Sequence, residues 1–159
     1  GCVVYQGQTL GFPYPRQARR EIQILFQHPE TSFDPRLTLG DSLREVCRLF
    51  GLPGSEQVLC EYLLPFGIYM EHLQRLPMQL SGGELRRMAV ARALCAHPAL
   101  ILADEPTGDL DEENTGTVME LLKDHVKAGG SVMVVTHDIQ VRDYADILME
   151  MKQGVIYPQ

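Results

Sequence analysis

Short apolar runs that end in polar residues are the feature that most constrains the fold of this chain. Residues 100–103 (Leu-Ile-Leu-Ala) precede Asp104 and Glu105, and residues 131–136 (Ser-Val-Met-Val-Val-Thr) precede His137. Runs this short and this apolar are typical of strands buried on both faces of a parallel sheet. Because a helical pattern separates the two runs, we predict a right-handed crossover between parallel strands, and hence an α/β fold.

Strand and helix patterns alternate at both ends of the chain, whereas the middle is helical throughout. Strands are predicted at residues 3–5, 21–26, 100–103 and 131–136, with two more between residues 147 and 157. Helices are predicted from Asp41-Ser42 to Gly51, with Ser42 and Glu45 at capping-box spacing, from Ser55 to Pro65, from residue 82 to residue 96, and from Asp111 to Gly129. The sequence therefore predicts one α/β domain with a helical insert.

Composition and charge argue against several classes of protein. The 159 residues are 45% apolar and contain no apolar run near the roughly 18 residues of a membrane helix, so a membrane role requires partners. The net charge of −7 gives no general attraction to nucleic acid, and the basic residues 16–20 are interpreted as a solvated turn. The four cysteines lack C-x-x-C spacing, which argues against a zinc site and favours buried, reduced thiols.

The sequence Leu80-Ser81-Gly82-Gly83-Glu84 stands directly before a predicted helix. Two glycines let the backbone approach a ligand, and a serine hydroxyl beside the positive end of a helix favours an anion. This arrangement is typical of a phosphate-binding site. The alternative is purely structural, because Ser81 and Glu84 also have the spacing of a helix capping box.

Polar side chains follow three of the predicted strands at their carboxyl ends, where open α/β sheets bind their ligands. They are Gln27, the adjacent acids Asp104 and Glu105, and His137. One carboxylate is suited to hold Mg²⁺ and the other to polarise an attacking water, while the histidine is suited to donate a hydrogen bond to a phosphate. The amide oxygen of Gln27 is a further candidate for contact with the metal or the water.

In this order, these elements resemble the nucleotide-binding subunit of ATP-binding-cassette (ABC) transporters over nearly the whole chain. In that family Gln27 corresponds to the Q-loop, residues 80–84 to the signature motif, residues 100–105 to the Walker B motif, residues 107–111 to the D-loop and His137 to the switch histidine. Residues 26–36 look most like the subunits of dipeptide, oligopeptide and nickel importers. The D-loop (Thr-Gly-Asp-Leu-Asp) is closer to that of lipoprotein-export and macrolide-export relatives.

The resemblance implies a P-loop NTPase-like (RecA-like) α/β core with a mainly parallel sheet, formed by residues 1–30 and 98–159, and a helical ABC-specific subdomain at about residues 31–97. It implies ATP hydrolysis that powers transport, with Glu105, His137 and Gln27 as catalytic residues. Asp104 and Gln27 are the implied ligands of Mg²⁺. The residues implied to bind nucleotide are Ser81, Gly82, Gly83, Glu84, Asp104 and Asp109.

The resemblance also implies partners and a location. A second ABC ATPase subunit would face this one head to tail, so that Ser81, Gly82 and Gly83 contact the nucleotide held by the other subunit. Transmembrane permease subunits would be the other partners, and nucleic acid would not be one. The implied location is cytoplasmic, peripheral on the inner face of the cell membrane.

Two departures from the family pattern bear on activity. The signature usually ends in Gln, and Glu84 adds a negative charge near a triphosphate unless its side chain folds back onto the helix N-terminus. No G-x-x-x-x-G-K-S/T sequence occurs, so no lysine-bearing phosphate loop is present and the 159 residues alone are expected to be inactive. We expect an N-terminal truncation, with a degenerate, non-catalytic ABC module of regulatory or interaction role as the alternative.

A DNA-repair-type ABC ATPase is a third hypothesis. Those relatives separate the Q-loop from the signature by a long coiled coil. Here the separation between Gln27 and Ser81 is short and carries no sustained heptad pattern, which disfavours this class.

Overall fold

The structure of the chain, a computed structural model, describes residues 2–108 and 110–159. Its strands are β1 (Val3–Tyr5), β2 (Gln8–Leu10), β3 (Ile22–Leu25), β4 (Leu100–Asp104), β5 (Ser131–Val135), β6 (Met149–Lys152) and β7 (Val155–Pro158). Its α-helices are α1 (Arg16–Glu21), α2 (Leu39–Phe50), α3 (Glu56–Leu63), α4 (Met70–Leu73), α5 (Gly82–Leu94) and α6 (Glu112–Lys127). Strands and helices alternate at both ends, with helices between them, as the sequence predicts.

The strands β3, β4 and β5 form a parallel sheet with β4 in the middle. Leu25 pairs with Ala103, and Asp104 pairs with Val135, so the three strands end at the same edge. The helix α6 makes the crossover from β4 to β5. This arrangement confirms the predicted α/β fold with a parallel core sheet. The other four strands form two antiparallel hairpins, β1–β2 and β6–β7. Both strands of the second hairpin were predicted, but only the first strand of the first hairpin was.

One face of this sheet is less covered than the sequence predicts. Ile101 and Ala103 are buried, whereas Ile24, Met133 and Val135 are about half exposed. Cross-strand pairing places Ile24, Leu102 and Met133 side by side. The helices α5 and α6 contact β3 and β5, yet no element within residues 2–108 and 110–159 buries Ile24, Met133 and Val135 as fully as Ile101 and Ala103 are buried. The expectation that both apolar strands are buried on both faces is therefore wrong for the described residues.

The hydrophobic core runs without a break from the helices of the middle segment to the sheet. The helix α5 lies at its centre, since Met88, Val90 and Ala91 have no exposed surface. Side chains from α2, α3 and α6 complete it, namely Leu39, Leu43, Leu59, Leu63, Val118 and Leu122. The residues that begin α5 are therefore held by packing along the rest of that helix. The division into core residues 1–30 and 98–159 and helical residues 31–97 stays a prediction.

Most helix ends lie where the capping signals predict, and α2 is the exception. It begins at Leu39, because the Thr38 side chain accepts a hydrogen bond from the Asp41 N–H at 3.2 Å. Ser42, which was predicted to start the helix, is buried inside it. At the other end Gly51 has a φ of 70° and ends α2 as predicted.

Two further expectations need correction. The basic residues 16–20 form most of α1 and not a turn; Gln17 donates a hydrogen bond to Glu21, four residues on, at 2.8 Å. Of the cysteines, Cys47 and Cys95 are buried with their sulfur atoms 3.8 Å apart, but Cys60 is half-buried and Cys2 is exposed. None of the described helices has the length and apolar character needed to cross a bilayer.

Candidate functional site

The strand β4 ends in a sharp turn at Glu105. The φ angle of this residue is 46°, in the left-handed region that residues other than glycine seldom adopt. The Glu105 N–H donates to the carbonyl of Val135 at 2.8 Å, and the Gly108 N–H donates to the carbonyl of Glu105 at 3.1 Å. These bonds tie the turn to the end of β5, where Thr136 and His137 follow.

The carboxylate of Glu105 accepts three hydrogen bonds from the end of β5. One oxygen accepts from the Thr136 hydroxyl at 2.8 Å. The other is 2.8 Å from Nδ1 of His137 and 3.1 Å from the His137 backbone nitrogen. The Glu105 side chain is 15% exposed and that of His137 is 88% exposed, so the carboxylate is fixed inside the turn while the imidazole faces solvent. The structure thus brings together two of the predicted site residues, Glu105 and His137.

The pKa values of this pair shift in opposite directions. Partial burial is the largest single influence on Glu105 and raises its pKa, but the hydrogen bonds from His137 and Thr136 together outweigh it, so the pKa lies below its usual value of 4.5. The hydrogen bond to Glu105 and the negative charge of that residue raise the pKa of His137 above 6.5. At a pH between these two pKa values, Glu105 is a carboxylate and His137 is an imidazolium.

Replacement of Glu105 with Gln is expected to return the pKa of His137 toward 6.5, because the charge that favours the imidazolium is removed. In the wild-type chain the raised pKa of His137 stabilises the folded state below pH 6.5, and this contribution disappears as the pH rises through the folded-state pKa. The lowered pKa of Glu105 acts in the other sense, since its contribution is lost as the pH falls from 4.5 through the folded-state pKa. NMR titration of the His137 ring in both proteins measures the shift, and identical titration curves would contradict it.

Asp104 and Gln27 lie at the same edge of the sheet as Glu105. Gln27 follows the end of β3, and the pairing of Leu25 with Ala103 places it beside the end of β4. Both side chains are exposed, and neither belongs to the hydrogen-bonded group of Glu105, Thr136 and His137. Their joint action on a metal therefore stays a prediction. Asp109, the remaining predicted residue of the loop after β4, lies outside the described residues.

The residues predicted to bind phosphate occupy the first turn of α5. Ser81 caps the helix, since its hydroxyl accepts from the Glu84 N–H at 3.3 Å while the Glu84 carboxylate accepts from the Ser81 N–H at 2.8 Å. Both the capping box and the predicted return of the Glu84 side chain onto the helix are therefore present. Ser81 and Gly82 are exposed, so the cap leaves this turn open to a ligand.

The two glycines of this turn have different surroundings. A Cβ atom on Gly83 would lie 3.1 Å from the Asn114 side chain, because α5 and the start of α6 approach closely there. A Cβ atom on Gly82 would meet nothing within 4 Å, and the φ angle of Gly82 is not among the positive ones. Packing within the chain accounts for Gly83 and leaves Gly82 without a structural reason. Space kept open at an exposed helix N-terminus favours a ligand from outside the chain.

Arg86 joins these elements, and its role was missed in the sequence. The residue is 5% exposed, and its Nη1 donates to the carbonyls of Phe26 at 3.2 Å and Glu105 at 3.4 Å. Its Nη2 donates to the carbonyl of Gly108 at 3.0 Å. The guanidinium thus fastens α5 to the residue before Gln27 and to the turn that holds Glu105. The only signal was its helical spacing, three and four residues before the apolar Ala89 and Val90.

The sequence matches known proteins over most of its length. The sequence model of the ABC transporter family matches residues 1–108, more than half of the chain. The glutathione import ATP-binding protein GsiA of Escherichia coli O157:H7 is 38% identical over 148 residues, which cover 89% of this chain and 24% of that protein. The protein of the same name from strain K12 is 36% identical over the same coverage. The chain thus spans about a quarter of the length of these relatives.

Solved structures of ABC cassettes superpose on the chain. The dimeric ATP-binding cassette MJ0796 in a post-hydrolysis state with ADP and Pi has a TM-score of 0.81 and 29% identity, covering 97% of this chain and 71% of that one. The cassette cbiO1 of Clostridium perfringens, part of the ABC transporter complex cbiONQ, has a TM-score of 0.75 and 27% identity, covering 97% and 63%. These matches confirm the predicted P-loop NTPase-like fold, and the chain belongs to the ABC transporter family.

Proposed function

We propose that this chain is the nucleotide-binding part of an ABC transporter and that it acts on ATP shared between two subunits. The observation that carries the proposal is the Glu105 carboxylate, fixed by Thr136 and His137 at the carboxyl edge of the parallel sheet. Ligands of open α/β sheets bind at this edge. The exposed first turn of α5, with open space at Gly82, supports a second phosphate contact on the same chain.

The proposed roles follow from the charges and hydrogen bonds of the pair. Glu105 has a lowered pKa, is ionised at neutral pH and is suited to accept a proton from an attacking water. His137 uses Nδ1 for Glu105, which leaves Nε2 for another partner. As an imidazolium it carries a proton on both nitrogens, so Nε2 can donate to the oxygen of a terminal phosphate.

The residues at the edge of the sheet also fit a magnesium ion. Asp104 supplies a carboxylate and Gln27 an amide oxygen, and hard oxygen atoms are the ligands that Mg²⁺ takes. Within the described part of the chain no three His, Cys, Asp or Glu side chains converge as they would in an all-protein metal site. That suits Mg²⁺, which usually keeps one or two protein ligands and fills its other positions with phosphate oxygens and water. Bound there, the ion would neutralise phosphate charge during transfer.

The proposal of a second subunit as partner is supported by the separation between the signature residues at the start of α5 and the residues Glu105 and His137 at the edge of the sheet. The described hydrogen bonds that involve the side chains of Ser81 and Glu84 run between these two residues and to His72, and not to Glu105 or His137. An exposed phosphate-binding turn whose side chains make no described hydrogen bond to Glu105 or His137 is suited to a nucleotide on a second, head-to-tail subunit. The structural relative MJ0796 is dimeric, which supports this arrangement.

The transported substrate is proposed from the relatives alone. Two of them are named for glutathione import, and glutathione is a tripeptide. This supports an importer of the peptide or nickel type, with permease subunits as partners and the chain on the cytoplasmic face of the membrane. Uptake of a labelled tripeptide by vesicles that carry the assembled transporter tests the substrate, and a lack of ATP-dependent uptake would contradict it.

The substitutions Gly82→Ala and Gly83→Ala are expected to separate binding from stability. Gly82→Ala should weaken ATP-driven association of two subunits at least about tenfold, because a methyl group enters the space proposed for phosphate, while the free energy of unfolding changes by less than about 0.5 kcal/mol. Gly83→Ala should lower the free energy of unfolding by about 1 kcal/mol, because its Cβ presses on Asn114.

Association is measured by sedimentation with and without ATP, and stability by urea denaturation. The subunit used must combine these residues with a lysine-bearing phosphate loop. Unchanged association in the Gly82→Ala protein would remove the signature residues from the proposed site.

Taken alone, the 159 residues form a second candidate, a non-catalytic ABC module, because they contain no G-x-x-x-x-G-K-S/T sequence. Without the backbone cradle and lysine of that loop, this chain alone is expected to bind ATP very weakly and to show no turnover. Calorimetric titration with MgATP and a phosphate-release assay measure both quantities. Turnover by the 159-residue chain that is lost on Glu105→Gln substitution would contradict the expectation.

A further inference from the structure

The acidic residue of the signature is held in place by hydrogen bonds on both carboxylate oxygens. Glu84 is half-buried, and its Oε2 accepts from the Ser81 N–H at 2.8 Å. The hydrogen bond from the Ser81 backbone is the largest of the influences that keep the pKa of Glu84 below its usual value. A negative charge is therefore fixed on the first turn of α5, where the N–H groups of Gly82 and Gly83 have no acceptor within the helix.

The second oxygen of Glu84 is held by His72. This histidine lies in α4, is 5% exposed, and places Nε2 3.2 Å from Oε1 of Glu84. Its Nδ1 is 2.9 Å from the backbone nitrogen of Tyr69. Nδ1 also lies 3.3 Å from the Tyr69 carbonyl oxygen, but its shorter contact is with the backbone N–H. Because a backbone N–H can only donate, Nδ1 accepts this shorter bond, and the ring proton lies on Nε2. The Tyr69 backbone thus selects the tautomer of His72 that donates to Glu84.

We infer that His72 is a positioning residue that makes an acidic signature compatible with an anionic ligand. By donating to Oε1, it holds the carboxylate against Ser81 and away from the N–H groups of Gly82 and Gly83. Those groups then remain available to phosphate. This inference rests on the proposed function, because it concerns how the signature turn receives a nucleotide from a second subunit.

The geometry explains why a single hydrogen bond matters here. Without His72, Oε1 loses its described partner, and the Ser81 N–H alone holds the carboxylate, which can then rotate about that one bond. A rotated carboxylate would accept hydrogen bonds from the N–H groups of Gly82 and Gly83, since anions are stabilised at a helix N-terminus. It would then compete with phosphate for the same donors and repel its charge.

A four-protein comparison tests the inference in a subunit that combines these residues with a lysine-bearing phosphate loop. Every protein carries Glu105→Gln, so that the ATP-bound dimer accumulates, and the dimer dissociation constant is measured by sedimentation at saturating MgATP. His72→Phe is expected to raise this constant about tenfold while Glu84 is present. The double variant His72→Phe/Glu84→Gln is expected to match Glu84→Gln, because a neutral amide no longer has to be held away from phosphate.

The outcomes separate this inference from the proposed function. If the parent protein does not dimerise with ATP, the proposed function fails and the inference fails with it. If the parent dimerises and His72→Phe has no effect, or its defect persists in the double variant, the inference alone is overturned, since a merely structural role of His72 would not depend on the charge at Glu84. His28→Phe, at an exposed histidine outside this network, is the matched control and should not alter the constant.

A second measurement does not depend on the folding of a variant. The ¹⁵N chemical shifts of the His72 ring in the unsubstituted chain report its tautomer. A proton on Nε2 is expected. A proton on Nδ1 alone would overturn the inference, because Nε2 would then have no hydrogen to donate.

Discussion

Replacement of Glu105 with Gln is expected to lower ATP turnover at least about a hundredfold while ATP-driven dimerisation persists, in a subunit that also carries a lysine-bearing phosphate loop. Glutamine has the shape of glutamate but retains one oxygen, which can accept either from Thr136 or from the His137 N–H, because these two donors bind different oxygens of Glu105. It cannot accept a proton from water, and general-base catalysis contributes factors of about 10²–10⁴. Phosphate release measures turnover, and sedimentation with ATP measures the dimer.

The same substitution at the signature provides the matched control. Glu84→Gln also removes one negative charge, but at the N-terminus of α5, where no proton transfer is proposed. It is expected to retain turnover within about threefold of the starting protein. If Glu105→Gln retained turnover as well, the assignment of Glu105 as the proton acceptor would be wrong, whatever the structure of the surrounding turn.

The sheet could be predicted from the sequence because the information is local. Residues 100–103 are apolar, end in acids and precede a capped helix, and this pattern is enough to indicate strand, crossover and edge. The proximity of Glu105 and His137 can then be inferred from the predicted sheet, since the carboxyl ends of parallel strands lie at one edge. The local pattern does not indicate which elements cover a strand. For this reason the sequence did not predict that Ile24, Met133 and Val135 are half exposed.

The predicted start of α2 was wrong for a different reason. Two caps of similar strength stand four residues apart, with Thr38 before Asp41 and Ser42 before Glu45. Sequence rules do not rank them. The structure uses Thr38, and the resulting extra turn lets Leu39 enter the core, where it has no exposed surface. Tertiary packing decides between equivalent local signals.

The contacts that hold the candidate site in place were beyond local pattern. His72 and Glu84 are 12 positions apart, and Arg86 and Phe26 are 60 apart. The amino-acid sequence of α5 does not distinguish the buried Arg86 from an arginine that faces solvent. Such contacts are readable only after the chain has folded, which is why the sequence indicated the residues of the site but not the residues that hold them in position.

Arg86→Met is expected to lower the free energy of unfolding by about 3 kcal/mol. Methionine fills a similar volume, but the carbonyls of Phe26, Glu105 and Gly108 each lose a charged donor. Hydrogen bonds to charged groups contribute about 1.5–3 kcal/mol each, and solvent reaching the outer carbonyls recovers part of the loss. Arg86→Lys keeps the charge but has a single donor nitrogen, so an intermediate loss is expected. Urea denaturation of the 159-residue chain measures all three proteins.

Arg36→Met is the control for loss of an arginine as such, because that side chain is 86% exposed and its partner Asp34 is two positions away. No measurable change in stability is expected there. The Arg86 variants should also disturb the turn at Glu105, which accepts from this guanidinium through its backbone carbonyl. The NMR signal of the His137 ring, which contacts the Glu105 carboxylate, should therefore move in Arg86→Met and stay in place in Arg36→Met. A stable Arg86→Met protein with an unmoved His137 signal would show that α5 does not support the turn at Glu105.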